Sequence, residues 1–521
     1  MHEQLSRLAE RLVEHGLAHA FGVTGSGASL RLITELEARG VRYLPTSHEA
    51  AAAIMAGAAG RASGRLSVSI SIKGPGLSNM LPGIVHNYFE GNPALSLSEA
   101  YGADSPPGRM HKRLAHGPLL ASVVKGFDRL GRVESRLGSF LDLARQEVPG
   151  PVHLDLCGDR GGPEPSTPRV QTAPASTPSD VMRAMDRVKR ARRPLVIVGS
   201  LGLRRPWGSA LSHLQVPVFT TAAAKGVVDE RSPQSAGVWT GDGKRLAPES
   251  HLVSEADFVL GLGLRNTEVL SPKPFGHPTV LVDEVGGSLT QGFGPEQVLI
   301  DPSGKAASDL LSVVAGKAWG LERIAALKSS LAGALVNGHW LPARSFDVLN
   351  QLSGSYAMVL DTGSFCTIGE HLWHAGPERP FVGSSNSRAM GTGIPTAIGV
   401  ACARPGLPVF CLVGDGGVRM YAPELRLAVE EQLPVCFILM TDGRYGSIAS
   451  VPQSTPVSQR AMTVARPSWW RAVEGMDCEA RAVEGMEDFA RALAGWTRRG
   501  PTFVEAAFAP EPYAAMTAEL R

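Results

Sequence analysis

What this sequence lacks narrows the field first. Its 521 residues hold six cysteines, Cys157, Cys366, Cys402, Cys411, Cys436 and Cys478, scattered and without a CxxC pair. That spacing excludes a disulfide framework and a structural zinc site of ordinary pattern, and it predicts reduced, buried core thiols. No apolar run reaches the length of a bilayer span. The opening segment, MHEQLSRLAERLVEHG, reads as an amphipathic helix with Leu5, Leu8, Leu12 and Val13 on one face, not as a signal peptide. Charge of either sign is in no excess: 51 Lys and Arg against 49 Asp and Glu leave a formal +2. Nothing in that balance would draw nucleic acid or an anionic membrane. With 43% apolar and 19% charged residues, the chain has ordinary globular composition and length for two to four domains. A cytoplasmic protein acting on small molecules is expected.

What is present is a threefold α/β pattern. In the first block, HAFGVTG, VRYLPTS, LSVSISIKG and PALSLSEA are short β-rich runs separated by helix-type segments such as Glu49 to Gly64. Strands alternating with helices imply a mostly parallel sheet covered on both faces. The stretch from Pro163 to Asp180, PEPSTPRVQTAPASTPSD, has the composition of a linker. A second block follows with PLVIVGS, PVFTT, ADFVLGLGL and PTVLVDEV, then a helical connector near Leu321 to Leu335. The third block has MVLDTG, PVFCLVGDG, PVCFILMTDG and TFVEAAF. The expected class is α/β, with three doubly wound parallel-sheet domains over 1–165, 178–335 and 340–521. The hexapeptide RAVEGM occurs at Arg471 and again at Arg481; two copies ten residues apart are not a structural repeat.

Chemistry shows first in LVGDGGVRMYAPELRLAVEEQLPVCFILMTDGRYGS. A buried strand runs into Gly-Asp-Gly, a helix returns the chain, and a second buried strand ends just before Asp442. In such a βαβ unit Asp415 and Asp442 emerge at the carboxyl ends of neighbouring parallel strands, where open α/β sheets bind ligands. Two adjacent carboxylates, with Gly416, Gly417, Gly443 and Gly446 exposing backbone N–H groups, suit a hard cation bridging to a diphosphate. An isolated Gly-Asp-Gly is ordinary turn chemistry; it gains meaning only beside the other elements.

Gly-Asp-Gly followed 27 residues later by Asp442 and then by Tyr445-Gly446 resembles the cofactor motif of thiamine-diphosphate enzymes. The similarity is to the branch of acetohydroxyacid synthase, pyruvate oxidase, benzoylformate decarboxylase and pyruvate decarboxylase. It covers essentially the whole chain, as pyrimidine-binding, central and diphosphate-binding domains in that order. The resemblance implies Mg²⁺ held by Asp415, Asp442 and the backbone carbonyl of Arg444, with Gly416, Gly417, Tyr445 and Gly446 around the diphosphate. Many members carry Asn where this chain has Asp442, and Arg419 or Arg444 is expected to offset the added charge. VLDTGSF resembles the family's first diphosphate loop, so the amides of Gly363, Ser364 and Phe365 would meet phosphate oxygens.

Glu49, in TSHEAAAAIMAGAAGRASG, matches the family glutamate that hydrogen-bonds the aminopyrimidine ring and favours the imino tautomer able to take the C2 proton. SSNSRAMGTGIPTAIGVACARP resembles the segment whose large apolar side chain wedges between the two cofactor rings. Met390 falls at the wedge, and the carbonyl of Arg388 at the expected acceptor for the amino group. Arg388 stands where the family usually has Gly, and Lys73, in ISIKGPGLSNMLPGI, replaces a small hydroxyl residue. These two cations are expected to bind an anionic group of the substrate, with His48, His111 and His116 as further candidates. FAD is not expected, because LGLG in the second block lacks a dinucleotide fingerprint. The resemblance implies decarboxylation of a 2-oxo acid, carboligation of the resulting acyl-anion equivalent to an aldehyde or ketone as in acetolactate synthase, or both. An oxidase or acyltransferase of the same branch, or a non-catalytic regulatory subunit, are the alternatives. Because the family builds its site between two subunits, a homodimer or homotetramer is implied.

Overall fold

The computed structural model describes residues 2–102, 105, 106, 108, 110–158, 173–336, 342–449, 456–465 and 467–520. Three six-stranded, wholly parallel sheets follow one another along the chain. The first contains β1 (His19–Gly22), β2 (Arg42–Pro45), β3 (Val68–Ser71), β4 (Ala94–Glu99), β5 (Gly126–Arg129) and β6 (Pro151–Leu156), in the order β2-β1-β3-β4-β6-β5. The second contains β7 (Pro194–Val198), β8 (Val218–Thr220), β9 (Ser235–Val238), β10 (Phe258–Leu262), β11 (Thr279–Asp283) and β12 (Gln297–Ile300), ordered β12-β11-β10-β7-β8-β9. The third contains β13 (Ala357–Leu360), β14 (Phe381–Gly383), β15 (Val409–Gly414), β16 (Val435–Thr441), β17 (Glu479–Val483) and β18 (Thr502–Ala507), ordered β14-β13-β15-β16-β18-β17.

The first and third sheets thus share one strand order, and the second has the dinucleotide-fold order. The α/β class with three doubly wound sheets is what the alternating pattern implied. Strands β5, β6, β9, β12, β14 and β17 escaped it; all but β6 are three to five residues long and lie at a sheet edge. Of the linker expected over 163–180, residues 163–172 lie outside the described residues. Its end is already helix: Pro178–Arg190 begins on a capping box formed by Thr177 and Asp180.

The helix Glu49–Ser63 explains its own composition. Twelve of its residues are buried, so it is apolar on all sides rather than on one stripe. It lies between the helices Pro75–Glu90 and Gly393–Ala403, and small residues permit the approach. A Cβ at Gly399 would lie 2.4 Å from the Met55 carbonyl oxygen, and one at Gly83 would lie 2.3 Å from that of Ala50. One hydrophobic core therefore runs from the first sheet's helix into the third sheet, joining Met55 and Ala59 to Ile398, Val413 and Phe437.

Candidate active site

In the third sheet the chain reverses winding direction between β13 and β15, and a cavity of about 160 Å³ opens near the carboxyl ends of these strands and β16. Strand β15 pairs in parallel with β16, which brings Asp415 and Asp442 together as the sequence required. Asp415 is buried. One of its oxygens accepts from the Thr441 hydroxyl at 2.6 Å, the other from the N–H groups of Asp442 and Gly443, each at 3.0 Å. Asp442 lines the cavity and accepts from the Arg444 N–H at 3.0 Å. Burial, with the Asp415 charge beside it, raises the Asp442 carboxyl above its ordinary range despite the help of that N–H. Two crowded carboxylates are a donor set that a hard divalent cation would relieve.

The rest of the cavity suits a phosphorylated ligand. Gly363 caps the helix Ser364–Leu372, so the first-turn N–H groups face the cavity that Gly363, Ser364 and Phe365 line. A Cβ at Gly416 would lie 2.5 Å from Met390 Sδ and 2.7 Å from the Tyr445 ring, so only glycine leaves the space open. Two buried hydroxyls on the cavity wall, Thr362 Oγ1 and Tyr513 Oη, have no hydrogen-bond partner. Orphaned donors there are cheap only if a ligand accepts from them. Sequence reasoning missed both. Thr362 lies inside the noticed VLDTGSF segment, but Tyr513 sits 71 residues beyond Asp442 in a helix with no motif.

The loop that carries Met390 is held from below by Asp361, which sequence reasoning also missed. This wholly buried carboxylate accepts from the Thr362 N–H at 2.8 Å and the Gly391 N–H at 2.9 Å, with the amides of Thr392 and Gly393 adding support. Burial outweighs these donors and pushes its pKa up to about 7. A Cβ at Gly417 would lie 2.0 Å from an Asp361 oxygen, which fixes that glycine too. Arg388 adopts φ of +48°, the left-handed conformation that favours glycine, at the position where the family usually has it. Its guanidinium points into the third domain. One nitrogen donates to Cys366 Sγ at 3.0 Å and another lies 2.6 Å from the buried Glu370 carboxylate. The cation expected to meet an anionic substrate group is thus paired with Glu370.

Glu49 opens its helix directly after the N-cap His48, is nearly buried, and accepts from the Asn79 side-chain amide at 3.1 Å. It does not line the cavity of Asp415, which among the described residues is walled by the third domain alone. Lys73 lies 2.7 Å from Glu99, a carboxylate that also accepts from the N–H and hydroxyl of Ser29. His48 caps the Ala50 N–H through Nδ1, and His111 is exposed, its carbonyl accepting from the Tyr101 hydroxyl at 2.8 Å. His116 is elsewhere, buried with Nδ1 2.6 Å from Asp155 and edge-on to His153. Its ring is thus held against a buried carboxylate and a second histidine.

Paired carboxylates, a helix terminus suited to phosphate and the apolar side chain of Met390 meet at one sheet edge. Three family models match the chain, one per sheet. The "Thiamine pyrophosphate enzyme, N-terminal TPP binding domain" matches residues 5–115, the central domain matches 181–288 and the C-terminal TPP binding domain matches 361–506. The chain belongs to the thiamine pyrophosphate enzyme family. Among curated relatives it is similar to a "Probable acetolactate synthase large subunit" of Methanococcus aeolicus, at 24% identity with 82% of this chain and 78% of the relative covered. It is 27% identical to a "Probable 2-ketoarginine decarboxylase AruI" of Pseudomonas aeruginosa, with 85% and 82% covered. It is 25% identical to an acetolactate synthase of Bacillus subtilis, with 84% and 81% covered. No helix among the described residues is long and apolar enough to cross a membrane.

Proposed function

We propose that this protein decarboxylates a 2-oxo acid with thiamine diphosphate and Mg²⁺, and delivers the acyl-anion equivalent to a proton or to a second carbonyl. The single observation that carries this reading is the cavity joining Asp415, Asp442 and the helix terminus at Gly363 to Met390. Asp415 and Asp442, with the Arg444 carbonyl, would hold the metal. The amides of Ser364 and Phe365 and the hydroxyls of Thr362 and Tyr513 would hold the diphosphate, and Met390 would wedge the rings apart. When bound, the cofactor supplies the electron sink that CO₂ loss requires. Glu49 would hydrogen-bond the pyrimidine ring, and its near-complete burial would limit competition from water for that bond.

Because Glu49 lies outside the cavity of its own chain, the reading requires a second copy to bring Glu49 to it, hence at least a homodimer. Ile448, 58% exposed on the cavity wall, suits a surface that a partner covers. No flavin is part of the proposal. At the turn after β7 the Ser200 N–H, a natural phosphate donor, is occupied by the Glu268 carboxylate at 2.8 Å. Lys73 and Arg388 stay the cations proposed nearest to the substrate, although a 2-oxo acid would have to compete with Glu99 and Glu370 for them. Equal losses for Lys73→Ala and Arg388→Ala on charged and uncharged 2-oxo acids would remove them from that role.

The test is calorimetric titration of thiamine diphosphate with and without Mg²⁺, followed by CO₂ release from a panel of 2-oxo acids. Metal-dependent binding lost in Asp415→Ala is expected. Binding that ignores both the metal and that substitution would sink the proposal.

A further inference from the structure

Two buried glutamates outside every cofactor motif cross between the first and third domains in opposite directions. Glu424 belongs to the third domain, one turn beyond the helix Asp415–Tyr421. It is 1% exposed, and its carboxylate accepts from the N–H of Ser47 at 3.1 Å and of His48 at 3.1 Å. Those amides immediately precede Glu49. Glu90 belongs to the first domain, as the last residue of the helix Pro75–Glu90. Its carboxylate accepts from the N–H groups of Ser385 at 3.1 Å, Asn386 at 3.0 Å and Ser387 at 2.8 Å, and from the Ser387 hydroxyl at 2.8 Å. Those residues lead into Arg388 and Met390. Two further bonds tighten the second junction: His86 Nδ1 lies 3.1 Å from the Ser387 hydroxyl, and the Asn386 side-chain amide donates to the Phe89 carbonyl at 3.2 Å.

We propose that Glu424 and Glu90 are reciprocal positioning residues, Glu424 fixing the Glu49 arm from the third domain and Glu90 fixing the Met390 loop from the first. The physical case is that a carboxylate gathering two or more backbone N–H groups in a buried place has one low-energy position, and so do the donors. Proton transfer at the cofactor ring demands that kind of placement, since errors of about 1 Å can cost a hundredfold in rate. The packing of Gly399 and Gly83 on the helix of Glu49 leaves that helix no room to slide. Glu424 then fixes the two residues that lead into the helix, Ser47 and His48, from the third domain. Since Glu49 and the cavity of one chain face different sites in the proposed dimer, each chain ties the geometry of one site to that of the other through these two carboxylates.

This inference rests on the proposed role of Glu49, so the experiment separates the two. Native-state amide exchange followed by mass spectrometry in the full-length protein reads the clamps directly. Glu424→Ala should speed exchange at Ser47 and His48 about tenfold or more, and Glu90→Ala should do the same at 385–387. Glu424→Gln, which keeps one acceptor oxygen, guards against a variant that does not fold and should lie between Ala and wild type. With Mg²⁺ and thiamine diphosphate bound, exchange of the cofactor C2 proton followed by NMR should fall about tenfold to a hundredfold in Glu424→Ala. Cofactor affinity should change little, because Asp415 and Asp442 are untouched. Unchanged amide exchange at 47–48 and 385–387 overturns the clamps, and unchanged C2 exchange in Glu424→Ala overturns their positioning role. C2 exchange as fast in Glu49→Gln as in wild type overturns instead the reading of Glu49, on which the amide measurements do not depend.

Discussion

Asp361 offers the sharpest test of how the site is built. It is fully buried, and the backbone N–H groups of Thr362, Gly391, Thr392 and Gly393 converge on it. Replacing it with Ala strands four buried donors, each costing about 1–3 kcal/mol when unpaired. Against this stands a gain. Burial raises the carboxyl from an ordinary 3.8 to about 7, so above neutral pH the fold carries a penalty on the order of 4 kcal/mol for holding the charge. The sign follows from linkage. A pKa raised on folding contributes stability that is complete below about 3.8 and is lost as pH rises toward 7. Asn has Asp's shape, keeps one acceptor oxygen, presents an NH₂ to the remaining donors, and never ionises. Asp361→Asn apoprotein should therefore be less stable than wild type at pH 5 by about 2–4 kcal/mol. The gap should narrow by roughly 3 kcal/mol by pH 8. Asp361→Ala should fall further at pH 5 and lose most of its cofactor affinity, because the Met390 loop is released. Urea denaturation at the two pH values reads the first claim and calorimetry the second. A gap of equal size at both pH values, or an Ala variant as stable as wild type at pH 5, would refute the reasoning.

Other outcomes follow from the same physics. Gly399→Ala would gain about 1 kcal/mol of helix propensity. Its Cβ would meet the Met55 backbone, however, so a net loss of about 2–3 kcal/mol in urea denaturation is expected. Burial pushes Glu424 up to about 7 against the Ser47 and His48 amides, so Glu424→Gln should gain stability relative to wild type as pH rises from about 5 to 8 in the apoprotein. A constant difference across that range would contradict it. All six cysteines are buried, and burial holds Cys402 and Cys478 up at about 12. A thiol reagent at pH 8 should label none of them in the native protein and all six after unfolding.

The sequence by itself determined the chemistry that lives in contiguous segments. Strand, Gly-Asp-Gly, helix and strand fix the adjacency of Asp415 and Asp442, because a right-handed βαβ crossover leaves parallel neighbours with their carboxyl ends together. Only the tertiary structure decided what depends on distant segments meeting. Glu90 and Glu424 drew no notice in the sequence, since their partners are backbone amides about 300 and 380 residues away that no side-chain pattern marks. Lys73 and Arg388 were expected to bind an anionic substrate group, and only the fold shows Glu99 and Glu370 beside them. The clearest case is RAVEGM. Its first copy forms most of the helix Trp469–Glu474 and the turn after it. Its second ends strand β17 and turns into the next helix. Six residues carry no preference strong enough to resist their surroundings. Pairing with β18 makes one copy a strand, and packing of Val473 under the third sheet keeps the other helical.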